Sequence, residues 1–341
     1  MRRRRTRRFG ALIAPCLAGL LLAGCGEQQN SLAPESHQAR DIASLFWWMM
    51  GGAWIGLALV VALLVLAWRR GRRRPASAAG RGKPDEKLGW YVVVGAGVVT
   101  PIALIAALFV ISNIFVIQTT QAPAASKTRL TVDVIGHQWW WEVRYPGTPV
   151  VTANEIHIPA HTPVRVNVTT ADVIHSFWVP RLNRTIDAIP GQRNAIELNA
   201  QAVGRYRGQC DEFCGLQHAH MAFYVYAQPP AQFRKWLAAQ AKPARPPRGA
   251  LAARGEKVFV QGACSSCHTI AGTAAQGDVG PDLTHLQSRH TLGALTVPNR
   301  KGYLSGWILD SQHVKPGNQM PNIDLSGPQL QALLAYLEGL K

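Results

Sequence analysis

Cys210-Asp-Glu-Phe-Cys-Gly-Leu-Gln-His-Ala-His-Met221 sets two thiols, an imidazole and a thioether in one short segment, at C-x3-C-x3-H-x2-M spacing. These are the soft and borderline donors that copper prefers. His175-Ser-Phe-Trp-Val-Pro180 offers one more nitrogen upstream. Taken alone, Cys210 and Cys214 also suit a disulfide, the usual fate of an exported pair, or a zinc site completed by His218. Around the segment the chain is made of short β-rich runs broken by Gly, Pro and Asn. Leu130 to Ile135, Glu155 to Ile158, Val164 to Thr169, Ala195 to Leu198 and Phe223 to Tyr226 read as strands, with turns at Pro146-Gly147 and Pro190-Gly191. That spacing predicts an all-β sandwich or barrel.

Downstream, Pro229 to Trp236 reads as a short helix and Lys242-Pro-Ala-Arg-Pro-Pro-Arg248 as a semi-rigid spacer. Cys264-Ser-Ser-Cys-His268 follows. C-x-x-C-H is the pattern of covalent haem c attachment, with His268 as the axial iron ligand. Helical runs are expected from Gly255 to Cys264, from Leu304 to Asp310 and from Gln329 to Leu340. In the last, Leu330, Leu333, Leu334 and Leu337 form an i, i+3, i+4, i+7 face. So short a domain has limited apolar surface, and a buried porphyrin would supply much of its core.

Upstream, a basic start, Arg2 to Arg8, runs into apolar Ala11 to Leu22 and then Leu22-Ala-Gly-Cys25. A short apolar core after a positive n-region is a secretory leader. The small residues ending at Cys25 resemble a bacterial lipobox, which would lipidate that cysteine. Two long apolar runs, about 45–68 and 88–117, are each long enough to cross a bilayer. The loop between them begins Arg69-Arg-Gly-Arg-Arg-Arg74. The positive-inside rule makes that loop cytoplasmic and puts everything after Gln118 on the opposite face. Much of the +17 net charge lies in the leader and this loop, where it is a topology signal, so a nucleic-acid partner is excluded.

Of six cysteines, Cys16 falls in the leader, Cys25 is the lipidation candidate, two lie in the copper segment and two in the haem motif. Beyond the leader and the spans the chain has two methionines, Met221 and Met320. Each stands where a soft ligand is wanted. Met221 is three residues past His218, and Met320 lies on turn-rich Lys315-Pro-Gly-Asn-Gln-Met-Pro321, where His/Met ligation would raise the haem potential.

Gly136-His-Gln-Trp-Trp-Trp-Glu142, His175-Ser-Phe-Trp, Asp187-Ala-Ile-Pro-Gly191 and the Cys210 to Met221 loop follow a membrane hairpin in that order. The chain resembles subunit II of haem-copper cytochrome c oxidases, in the caa3-type form with a fused C-terminal cytochrome c. The resemblance implies a two-helix transmembrane hairpin, an all-β cupredoxin-like Greek-key barrel and an all-α class I cytochrome c domain. It divides the chain into a lipoprotein-type signal peptide (1–24), an N-terminal segment with the hairpin (25–118), a copper domain (119–240), a linker (241–249) and a cytochrome c domain (250–341). It implies a binuclear copper centre, CuA, with Cys210 and Cys214 bridging, His175 and His218 as imidazole ligands, Met221 as a weak thioether and Glu212 through its carbonyl. The Glu212 carboxylate would also reach a magnesium ion at the boundary with subunit I. Trp139 matches the aromatic residue through which electrons enter the copper centre, and Cys264, Cys267, His268 and Met320 would hold haem c. Trp140 stands where Tyr is common and Asp211 where Ser is common, so Asp211 adds a negative charge beside the site.

The function so implied is electron input to a respiratory terminal oxidase. A periplasmic or membrane donor, such as cytochrome c, would reduce the haem, and electrons would pass to CuA and on to subunit I. Oxygen reduction and proton pumping belong to that subunit, with subunit III as a further partner. The expected location is a bacterial inner membrane with both redox domains on its outer face. Glu86 lies close to a family carboxylate at the mouth of a proton pathway, one residue out of register with Trp90. A solvated helix N-terminus explains it equally. Alternatives are a CuA and haem c subunit of a related nitric oxide reductase, or a copper or haem redox sensor. A nitrous oxide reductase would need a large further domain. From Ala250 onward seven basic residues face six acidic ones, so no strong charge steering of a soluble donor is expected.

Overall fold

The computed structural model describes residues 28–73 and 86–341. The expected signal peptide, Cys25 and the basic loop from Arg74 to Asp85 lie outside the described residues. Helix α1 spans His37–Arg73. Helix α2 opens at Glu86–Val94, continues through Thr100–Ser112 and closes at Gln118–Thr120, with π-helical turns at Gly95–Val99 and Asn113–Ile117. Both helices are long and apolar enough to cross a membrane, and their central windows bury nothing against the rest of the chain. Trp47, Trp48, Trp68 and Trp90 stand exposed near the span ends, where interfacial aromatics sit.

Ten strands follow: β1 Thr131–His137, β2 Trp140–Arg144, β3 Val151–Ala153, β4 Glu155–Pro159, β5 Val164–Thr170, β6 His175–Trp178, β7 Ile186–Ala188, β8 Asn194–Leu198, β9 Gly204–Cys210 and β10 Ala222–Gln228. They form two five-stranded sheets in the orders β3-β2-β1-β5-β8 and β4-β10-β9-β6-β7. β1 pairs parallel with β5 and β10 parallel with β4, while the other neighbours run antiparallel. Alternate residues of β1 and β5 are buried, so Val132, Val134, Val164, Val166 and Val168 meet Ile156, Phe177 and Phe223 in one core. At the filled centre, Phe177 stacks on Phe223 at 4.6 Å and Trp141 meets both edge-on. This is the cupredoxin-like architecture the sequence implied.

The hairpin is fastened to this domain at both ends. Glu35 pairs with Arg181 at 2.8 Å and Gln38 Nε2 donates to Glu197 at 2.8 Å. Arg184 donates to Thr120 Oγ1 at 3.2 Å. The copper segment is therefore held at a defined place relative to the spans.

Helix α3, Pro230–Gln240, outlasts its expected end by a turn, because Trp236 and Leu237 pack on the β core. The proline-rich segment expected as a spacer lies against the C-terminal domain, with Ala244 N donating to Ala271 O at 2.9 Å and His285 Nε2 2.9 Å from Lys242 O. Helix α4, Gly249–Gln261, begins six residues earlier than expected at left-handed Gly249 and stops short of Cys264. A short 3-10 turn, Ala263–Ser266, carries the first cysteine. Strands β11 Thr291–Leu292 and β12 Val297–Pro298 form a hairpin, and helices α5 Lys301–Leu309, α6 Ser311–Val314 and α7 Gly327–Leu337 complete the chain. Ser326 and Gln329 close a capping box on α7. Helices α4 and α7 cross at Gly255: a Cβ there would lie 1.9 Å from Ala332 O, so glycine permits the approach.

Candidate metal centre

The loop after β9 folds back so that β10 starts beside the place where β9 ends, with Cys210 N donating to Met221 O at 3.0 Å. The strand end and the loop bring Cys210, Cys214, His218 and Met221 together, and β6 delivers His175 from the adjacent strand. Cys210 Sγ lies 3.8 Å from Cys214 Sγ, 3.8 Å from His175 Nδ1 and 3.3 Å from Glu212 O. Cys214 Sγ lies 3.6 Å from His218 Nδ1 and 3.8 Å from Met221 Sδ. Donors bound at about 2.0–2.3 Å to a tetrahedral metal sit roughly 3.3–3.8 Å from one another. The set therefore has the spacing of ligands sharing metal ions. A disulfide is excluded in this state, because its sulfurs would be about 2.05 Å apart and both cysteines are free. Among the described residues, His175, Cys210 and Cys214 form a buried metal-competent cluster.

The surroundings fix which atoms are offered. His175 is fully buried, and its Nε2 lies 2.8 Å from Asp172 Oδ1. The carboxylate accepts that N–H, leaving Nδ1 free and aimed at Cys210, the arrangement by which proteins orient metal-binding imidazoles. Burial would raise the Asp172 carboxyl, yet hydrogen bonds from His175 and from the N–H groups of Gln138 and Val173 hold it below its ordinary value. The hydrogen bond shared by the two sulfurs draws the Cys210 thiol well below its ordinary value against burial, while that same bond, then burial and then repulsion by the Cys210 charge move Cys214 up. Bound cations would remove that repulsion and deprotonate both. Gly136 is packed against the ring: a Cβ there would meet His175 Cδ2 at 2.6 Å.

Trp139 is 9% exposed and donates Nε1–H to Cys214 O at 3.0 Å, beside Gln138 Nε2 on the same oxygen at 2.7 Å. Gly215, at φ +115°, makes room for that indole. Trp140 stacks on His137 at 4.4 Å instead. His220 turns aside to Gln217 Oε1 at 2.8 Å, and the Asp211 and Glu212 side chains face outward.

In the C-terminal domain Cys264 and Cys267 are free and part-buried. His268 Nδ1 lies 2.7 Å from Pro281 O, so its N–H is spent on that carbonyl and Nε2 remains available. Burial lowers this imidazole, keeping it in the neutral, ligating form. A Cβ at Gly280 would strike His268 Cε1 at 2.5 Å. A cavity of about 710 Å³ opens between the end of α4 and the segment after Met320, lined by Val258, Gly262, Ala263, Pro321, Ile323 and Leu325 among others, within the size range of cofactor sites. Cys264 follows and Met320 precedes a lining residue in sequence, and neither they nor Cys267 and His268 line the cavity. The backbone at Met320 is pinned: its carbonyl accepts from Ser311 Oγ and Gln312 Nε2, and its N–H donates to Asn318 Oδ1. These residues fit a covalent haem held by His268.

Asp172 and Gln138 were not singled out in the sequence. Asp172 stands three residues before His175, a spacing that signals an orienting carboxylate once the histidine is taken as a ligand.

The family description "Cytochrome C oxidase subunit II, periplasmic domain" matches residues 148–228, and "Cytochrome c" matches 252–341. Cytochrome c oxidase subunit 2 of Alkalihalophilus pseudofirmus is 30% identical over 333 residues, covering 94% of each chain. The Bacillus subtilis protein of the same name is 26% identical over 348 residues, covering 95% of this chain and 96% of its own. The crystal structure of the periplasmic domain of subunit II of cytochrome oxidase of Bradyrhizobium japonicum is 33% identical, covers 33% of this chain and 94% of its own, and superposes with a TM-score of 0.33. Near-complete alignment to a relative at that identity, with both domain families in order, places this chain in the cytochrome c oxidase subunit II family, as a member with a fused cytochrome c domain.

Proposed function

We propose that this chain receives electrons at a haem c held by Cys264, Cys267, His268 and Met320, and delivers them to subunit I from a dicopper centre held by His175, Cys210, Glu212 O, Cys214, His218 and Met221. The haem and the copper pair supply one-electron storage at two steps of the relay. The protein's part is to hold the donors still. Ligands between β9 and β10 rest on a filled aromatic core, Asp172 fixes His175, and a rigid frame keeps geometry constant between oxidation states. Trp139 offers a conjugated surface whose N–H is bonded to the Cys214 carbonyl, and we assign it as the point where electrons enter. The observation that carries this reading is the convergence of four donors on the Cys210 and Cys214 sulfurs, two on each, with all five contacts of the set, the sulfur pair included, at 3.3–3.8 Å.

The same reading assigns segments 1–24, 25–118, 119–240, 241–249 and 250–341 to leader, hairpin, copper domain, linker and cytochrome domain. It places both redox domains on the outer face of a bacterial inner membrane. Subunit III and a periplasmic or membrane-bound donor are further partners. The outward-facing Glu212 carboxylate is assigned to a magnesium ion shared with subunit I. In the assembled oxidase, Cys214→Ser is expected to abolish rapid turnover of ferrocytochrome c. Turnover at the wild-type rate would contradict the proposal.

A further inference from the structure

Lys315 belongs to the C-terminal domain, yet its ammonium is buried in the contact with the copper domain, at 2% exposure. Nζ donates to Trp139 O at 2.7 Å and His220 O at 2.9 Å across the contact, and to Gly293 O at 2.9 Å within its own domain. Three carbonyl oxygens use all three of its N–H donors. Carbonyls from three separate segments converge on one point, and Gly293 is aimed there by a left-handed turn, Gly293 to Leu295, between β11 and β12. Burial draws the Lys315 amine down to about 7, opposed by the Cys214 sulfur.

The surrounding contacts are close. Gln217 Nε2 donates to Pro316 O at 2.8 Å. Gly317, at φ +81°, lies so near the copper loop that a Cβ would meet Leu216 Cδ2 at 2.9 Å and the Trp139 ring at 3.7 Å. The same loop continues to Met320 and is internally braced, with Asn318 Nδ2 donating to Lys315 O at 2.8 Å and Asn318 Oδ1 receiving Met320 N–H at 2.8 Å. A rigid five-residue span thus joins the lysine to the proposed iron ligand, and the lysine grips the backbone of the tryptophan assigned to electron entry into the copper centre.

Building on the proposed relay, we infer that Lys315 is a positioning residue for transfer between the two centres: its ammonium locks the Met320 loop onto the Trp139 face. Its ammonium is held by backbone carbonyls and not by any of the proposed ligand atoms, so it acts through Trp139 and the loop. Replacing it by an apolar chain leaves the two copper-domain carbonyls, Trp139 O and His220 O, without their donor, while Gly293 O keeps the Thr296 hydroxyl at 2.6 Å. Each unpaired carbonyl shifts the docked-to-undocked ratio by about ten-fold or more. A second consequence is that the Trp139 face is covered by this chain's own domain, so an external donor reaches the copper centre through the haem.

The test uses the assembled oxidase carrying Lys315→Met. After rapid reduction of haem c, oxidation of the haem and reduction of the copper centre are followed optically. Transfer is expected to slow by about ten-fold or more, with both midpoint potentials and the copper paramagnetic resonance spectrum unchanged. Lys315→Arg, which keeps a cationic donor, is expected to recover part of the rate. A wild-type rate in Lys315→Met, or a slowing accompanied by a matching shift in potential, overturns the assignment. A measurement on the unmodified complex stands independently of whether the variant assembles. An amine-acylating reagent followed by peptide mass spectrometry is expected to label exposed Lys301 and spare Lys315. A lysine with a lowered pKa reacts faster than an ordinary one once solvent reaches it, so labelling of Lys315 at or above the Lys301 level refutes the lock. Absence of haem-to-copper transfer in the wild type would instead refute the relay itself.

Discussion

Asp172→Ala isolates the contribution of orientation to copper binding. In the structure Asp172 Oδ1 is 2.8 Å from Nε2 of an imidazole with no solvent exposure. Removing such an outer partner typically costs about 10- to 100-fold in metal affinity, which is about 1.4–2.8 kcal/mol. The loss of one hydrogen bond to a charged group, about 1.5–3 kcal/mol, gives the same range. The carboxylate also accepts Gln138 N at 2.6 Å and Val173 N at 2.7 Å. Its side chain is 25% exposed, so water can serve those two groups while the buried ring is out of reach. The loss should therefore fall mainly on the metal. Titrating the copper-loaded full chain with a competing chelator measures it, and Asp172→Asn, which keeps a neutral acceptor, should lie between the alanine variant and the wild type. An alanine variant that keeps wild-type copper affinity with an unchanged paramagnetic resonance spectrum would refute the orienting role.

Three further outcomes are expected. Gly136→Ala drives a methyl to 2.6 Å from His175 Cδ2 and should reduce copper content per chain, read by metal analysis, while thermal unfolding of the haem domain stays as it was. Gly255→Ala sets a Cβ 1.9 Å from Ala332 O. Overpacking of about 1–3 kcal/mol outweighs roughly 1 kcal/mol of helix propensity, so calorimetry should show a lower Tm for the haem domain alone. The Glu155 and His290 contact is pH-dependent. Burial would raise Glu155, but His157, at an ion-pair distance of 3.9 Å, and His290, through N at 2.7 Å and Nδ1 at 3.2 Å, hold it down at about 2. His290 is in turn raised by Glu155. The carboxylate's contribution is present above about pH 4.3 and lost as pH falls through about 2, and the imidazole's is complete below about 6.5 and lost as pH rises through its raised value. The Tm difference between wild type and His290→Ala should accordingly be largest near pH 5.5 and fall in alkali to the part left by the ring's stacking on Tyr226, and a difference constant across that range would count against the pair.

Much of the site could be read in the sequence because its donors lie in two short segments with fixed spacing, and after residue 118 every cysteine and methionine falls at one of the two proposed centres. Strands with clear alternation, such as Val164–Thr170, were also legible. Strands β6 and β9 were not. His175–Trp178 is four residues long with its first three buried, so it shows no period of two. Gly204–Cys210 mixes arginines with glycines, and Gly208 is there because the Phe223 ring lies over it, a Cβ meeting Cζ at 2.1 Å. The π-helical turns of α2 and the early start of α4 left no mark in a run of apolar or helix-forming residues. The contact between the redox domains was invisible for a different reason. Lys315 is received by backbone oxygens, which every residue carries, and Glu155 meets His290 at a sequence separation of 135. Only the folded arrangement turns these common groups into a lock.

Paramagnetic resonance and metal analysis of the purified, copper-loaded chain test the central claim most directly. Two coppers per chain sharing one unpaired electron in a mixed-valence spectrum, alongside one low-spin haem c, is the expected result. Zinc in the site, a single isolated copper, or a bond between Cys210 and Cys214 would contradict it.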